Sequence, residues 1–89
     1  MILAREQDLV LKVIGELDAG NRTVPVPLGV IHDRVPDMDV RDLVRHLEIL
    51  LSSGLIENAR LGGREKIGNS FFLTSRGRGY LEEKTAPRR

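Results

Sequence analysis

Residues 36–57 read PDMDVRDLVRHLEILLSSGLIE, and the fold is decided by how this stretch is read. Val40, Leu43, Leu47, Leu50 and Leu51 recur at helical spacing and form one apolar stripe. Asp39 stands where a side-chain oxygen caps a first turn, and Asp42 follows at the third helical position. Gly54 supplies the stop, and Leu55 beside it is placed for the apolar contact that accompanies a glycine ending. The pattern predicts a helix over about residues 39–53 with one face committed to a core. The opposite face shows Arg41, Asp42, Arg45, Glu48 and Ser52.

Upstream, residues 5–19 carry Val10, Val13, Ile14 and Leu17 at helical spacing, with Leu3 on the same face and Gly20–Asn21 as the stop. Leu9 and Leu11 flank that stripe on opposite sides, which widens the apolar arc to roughly 200°, against the 100° or so that one-sided packing needs. Two readings follow: a central helix touched by several neighbours, or a dimer contact made by Leu9 or Leu11. Thr23 to Val26 can form a short extended segment, but Pro25 and Pro27 bar it from the middle of a sheet. Pro27 suits the first turn of a second helix, Leu28 to about Arg34, with Leu28, Ile31 and Val35 inward and Pro36 as its terminator.

Downstream, residues 55–60 and 70–74 read as two strands joined by the glycine-rich, charged segment LGGREKIGNS, a hairpin with a long tip. Thr74 caps a last helix, SRGRGYLEEK, in which Gly77 and Gly79 each cost up to about 1 kcal/mol relative to alanine. That helix therefore needs Tyr80 and Leu81 packed on the core. The expected organisation is one α+β domain over residues 1–84 and a flexible tail over 85–89.

Bulk composition narrows the function. The 89 residues suit one modest core and no deep cleft. There is no cysteine, which excludes disulfides, thiolate metal sites and cysteine nucleophiles. Residues 1–54 hold six Lys/Arg against nine Asp/Glu, and residues 55–89 hold eight against four, so positive charge gathers in the half that contains the hairpin. No apolar run approaches the eighteen or so residues that span a bilayer, and no signal-peptide pattern opens the sequence, so a cytoplasmic protein is expected. His32 and His46 are the only histidines, and His46, one position before Leu47 at the edge of the core stripe, reads as a packing or capping residue and not as a ligand. DMDVRD lacks the glycine and ligand spacing of a calcium loop, and GGREKIG lacks the Gly-Lys-Ser/Thr ending of a phosphate loop. Neither enzyme chemistry, a cofactor nor a metal site is expected.

Three stretches resemble a known group. RHLEILLSSGLIE, residues 45–57, resembles the end of the recognition helix and the entry to the wing in the arsenical-resistance and multiple-antibiotic-resistance repressor families, through His46, Leu47, Leu50, Gly54, Leu55 and Ile56. FFLTSRGRGYLEE, residues 71–83, resembles the return strand and last helix of such regulators, through Leu73, Thr74, Arg76 and Gly77. With the short turn around VPD, the chain looks like a winged helix-turn-helix domain, a three-helix core with a two- to three-stranded β-wing and a short C-terminal helix. The resemblance implies sequence-dependent binding of double-stranded DNA by a transcriptional regulator. Helix three would enter the major groove, and the wing, about residues 55–74, would lie along the backbone or minor groove.

The residues suited to that task are Arg41 and Arg45, one turn apart, with Val44 between them for a thymine methyl. The wing adds Arg60, Arg64 and Lys66, and Arg76, with Arg78, stands near the start of the last helix. A homodimer through helix one, with the C-terminal helix as a further contact, would supply two half-sites. An alternative rests on Asp33, Asp37, Asp39, Asp42 and Glu48: a winged-helix protein-interaction module using an acidic helix-three face.

Overall fold

The computed structural model describes residues 3–18, 24–59 and 68–85. In chain order they form α1 (Arg5–Asp18), β1 (Val26–Pro27), α2 (Leu28–Arg34), α3 (Val40–Ser52), β2 (Ile56–Asn58), β3 (Ser70–Leu73) and α4 (Ser75–Thr85). Among the described residues this is an α+β domain of four helices and one three-stranded antiparallel sheet, ordered β1-β3-β2.

α3 forms as its pattern predicts. Asp39 caps it, accepting a long bond from Arg41 N at 3.4 Å, and Leu43 N returns to Asp39 O at 2.9 Å. Leu43, Leu47, Leu50 and Leu51 are all buried. At the far end Gly54 takes a φ of 77°, a left-handed conformation open to glycine at little cost. Gly54 N then donates to Leu51 O at 3.1 Å and Leu55 N to Leu50 O at 3.0 Å, the paired bonds that close a helix on a left-handed residue. Val40 departs from expectation. It is 44% exposed rather than part of the stripe. Helical side chains lean toward the N-terminus, so the first residue of α3 projects past the edge of the core.

α1 lies across the core. Leu11 is fully buried with Val10, Val13 and Ile14, and Leu9 is 46% exposed. The wide apolar arc meets several neighbours, since α1 touches α2, α3, α4, β1 and β3. Of the two leucines offered for a dimer contact, Leu11 is taken up by the chain's own core and Leu9 stays exposed. The helix opens with a backward bond in which Ala4 N donates to Gln7 Oε1 at 3.1 Å.

β1 is two residues long and sits at a sheet edge, where prolines are tolerated. Pro27 caps α2 (φ −72°, ψ 146°) instead of entering its first turn. A proline offers no capping oxygen, and Leu28 N finds Asn69 O at 2.7 Å instead. β3 pairs with both neighbours, Val26 opposite Phe71 on one side and Ile56 opposite Leu73 on the other. Phe71 and Leu73 are buried and Phe72 is half-buried, as period-two alternation requires. Both hairpin strands are shorter than expected, since β2 stops at Asn58 and β3 at Leu73. Arg60 and the segment 61–67 lie outside the described residues.

Thr74 joins the two halves of the fold. Its hydroxyl donates to Gly54 O at 2.6 Å and accepts from Gly77 N at 3.0 Å, while its own N–H reaches Leu55 O at 3.1 Å. Gly77 follows from that closeness, because a Cβ there would collide with the Leu55 carbonyl oxygen and Leu73. α4 is then held on α1 by Tyr80, whose hydroxyl donates to Asp8 Oδ1 at 2.6 Å, and by Leu81, which packs over Gly15. A Cβ on Gly79 would meet nothing within 4 Å. The two glycines of α4 should therefore respond oppositely to alanine in urea denaturation. Gly77→Ala should lose about 1–3 kcal/mol through overpacking, and Gly79→Ala should gain up to about 1 kcal/mol through helix propensity. Shifts of the same sign would refute the packing account.

Candidate nucleic-acid interface

Arg41 and Arg45 stand one turn apart on α3, and both are exposed. They project from the side opposite Leu43, Leu47 and Leu50, with Glu48 and Ser52 continuing the same outward strip. Among the described residues neither arginine makes an ion pair, whereas Arg34 pairs with Glu16 at 2.8 Å and Arg78 with Asp18 at 3.0 Å. The Arg41 and Arg45 guanidinium groups are free to meet a ligand. Val44 is half-buried on the flank of that strip and so offers only part of its surface.

The turn before α3 is held by a side chain that sequence spacing does not single out. His32 Nε2 lies 2.9 Å from Met38 O, while Val35 N reaches His32 O and Met38 N reaches Val35 O, each at 3.0 Å. These bonds close the five residues between α2 and α3 and set the angle at which α3 leaves the core. Nothing local marks His32 for this, because its partner is six residues away and is a main-chain carbonyl.

The other predicted DNA-binding residues divide. Arg76 is exposed, and its Nη1 donates to Ser53 O at 3.4 Å. It therefore sits at the C-terminal end of α3, roughly 18 Å along the helix axis from Arg41. In that place it also complements the partial negative charge of the helix end. Arg78 turns away to pair with Asp18, whose side chain is fully buried. Arg60, Arg64 and Lys66 lie outside the described residues. The base of the segment bearing them is tied, with Gly68 N donating to Asn58 Oδ1 at 2.9 Å and Ala59 N to Ser70 O at 3.0 Å.

The acidic residues do not form one face. Asp37, Asp39 and Asp42 border an open cleft of about 760 Å³ between α1 and the α2–α3 turn, and Glu6 of α1 completes its acidic rim. Asp33 and Glu48 do not line it. His46 borders the same cleft, half-buried, with an Nδ1 that is closed from solvent and has no hydrogen-bond partner. A buried polar atom left without a partner costs on the order of 1–3 kcal/mol.

No group of three metal-binding side chains occurs among the described residues, and none of their helices is long and apolar enough to cross a membrane. Comparison with family models, curated proteins and solved structures finds no match.

Stability measurements separate side chains that hold the fold from those the fold presents. In thermal unfolding, Arg41→Ala and Arg45→Ala should each stay within about 0.5 kcal/mol of the parent. Leu47→Ala should cost about 2–5 kcal/mol through the cavity it leaves. Arg78→Ala should cost about 1–3 kcal/mol by weakening the pairing of a buried carboxylate.

Proposed function

We propose that this chain is a winged helix-turn-helix domain that binds double-stranded DNA, with α3 in the major groove and the β2–β3 hairpin as the wing. The observation that carries the proposal is the outward strip of α3: two exposed, unpaired arginines one turn apart on a helix anchored from behind by buried leucines. Side chains so placed reach guanine edges or phosphates without first breaking an internal contact. Element order supports the reading, since a short edge strand precedes α2, a tight turn joins α2 to α3, and the two hairpin strands follow directly.

The division of labour follows from charge and geometry. Arg41 and Arg45 supply the contacts in the groove. The hairpin segment with Arg60, Arg64 and Lys66 adds phosphate contacts beside it, and Arg76 extends the surface at the far end of α3. Glu48, on the same strip as the arginines, opposes phosphate and accepts hydrogen bonds from a base such as cytosine. It therefore sharpens choice at the cost of affinity. The role implied is that of a transcriptional regulator.

Affinity for random duplex DNA, measured against salt, tests the proposal. Binding should fall steeply between about 50 and 200 mM salt, and Arg64→Ala should lower the log–log slope by about 1 for each phosphate it no longer neutralises. Arg41→Ala with Arg45→Ala should reduce affinity further, and Glu48→Lys should raise it on random duplex. An affinity indifferent to salt, or a Glu48→Lys variant that binds more weakly, would end the DNA reading.

A further inference from the structure

We propose that the cleft between α1 and the α2–α3 turn is a docking site for a basic segment of a partner protein, one that also carries an aliphatic anchor. The floor is apolar: Leu9 and Met38 line it, and Leu9 is 46% exposed on an otherwise well-packed helix. The rim is acidic: Glu6, Asp37, Asp39 and Asp42 are all exposed, and among the described residues none of the four makes an ion pair. Arg34 also lines the cleft but is paired with Glu16.

Helix ends explain part of this charge and leave the rest. Glu6 lies in the first turn of α1, and Asp39 and Asp42 open α3. Each helix N-terminus contributes roughly half a positive charge, so two of them offset about one of the four negative charges. A net charge near −3 remains around an apolar floor. Asp37 lies in the turn, in neither helix, so helix-end stabilisation does not account for it.

That combination selects the occupant. A nucleic acid is repelled by the rim. A small organic cation would stay largely in water, because the cleft is open and its carboxylates are exposed. A peptide can lie along the opening with Lys or Arg side chains on the rim and one aliphatic side chain over Leu9 and Met38. The cations provide steering and register, and the anchor provides most of the affinity.

The experiment uses the full chain without DNA. Fluorescence anisotropy follows a labelled synthetic peptide of alternating lysines and leucines, with an all-lysine peptide and a glutamate/leucine peptide as controls. The lysine/leucine peptide should bind at least about tenfold more tightly than either control. Leu9→Ser, at an exposed position and with its fold checked by circular dichroism, should weaken it by a similar factor. Asp37→Asn with Asp42→Asn should weaken it and flatten its salt dependence. Equal binding of either control would overturn the proposal, as would a Leu9→Ser variant with unchanged affinity. So would sedimentation showing that Leu9→Ser converts a dimer to a monomer, because the cleft would then be filled by a second copy. None of these outcomes depends on whether the α3 strip binds DNA.

Discussion

The hydroxyl of Thr74 holds together parts of the chain that are otherwise far apart. It closes the first turn of α4 through Gly77 and ties that turn to the carbonyl of Gly54, the left-handed residue that ends α3. The Thr74 N–H takes the carbonyl of Leu55 at the entry to β2. A helix end, two strand ends and a helix start are thereby fixed within one cluster of hydrogen bonds. Gly77 is the steric condition for that cluster, since any side chain there would push α4 off the Leu55 carbonyl. At the other end of α3, Asp39 and the turn bridged by His32 and Met38 perform the same service. Held at both ends and along its leucines, α3 has little freedom beyond the rotamers of its outward side chains. A rigid element that presents adaptable polar groups is what recognition of a ligand's shape and charge requires.

The polar interior is sparing. Asp18 is buried and meets the guanidinium of Arg78, itself partly exposed, and Tyr80 spends its hydroxyl on Asp8. Both interactions run from α1 to α4, so the last helix is located by two directional contacts as well as by Leu81 over Gly15. This explains how a helix carrying two glycines can still be ordered. Its free energy comes from docking and little of it from intrinsic propensity.

What the residues disclose in advance, and what they withhold, follows from the range of the forces involved. α3 is legible because its periodicity, cap and glycine stop all act within a few residues. The edge position of β1 is legible through its prolines, whereas the strand order β1-β3-β2 is not, since a two-residue strand has no pattern of its own. Val40 fits the stripe by spacing and leaves it by position, because spacing says nothing of where a core ends. Gly77 reads as a weakness and is a packing necessity, a fact that resides in Leu55, some twenty residues earlier. In the candidate interface, Arg41 and Arg45 are legible from the helix face. The cleft is half legible: its aspartates are close enough in sequence to notice, but Glu6 and Leu9 come from a helix some thirty residues away. Asp42 borders that cleft and follows Arg41 directly on α3.

The sheet has one further implication. Its outer members are β1, two residues long with a proline, and β2, three residues long, while the longest strand, β3, is enclosed between them. A proline lacks the amide hydrogen that a newcomer strand would need, and three residues give too little ladder to template one. Among the described residues neither edge of the sheet gives a strand from a second copy much to pair with. Among the described residues, the surfaces left open to a second protein are those of helices and turns, and the β-layer serves as a scaffold beneath them.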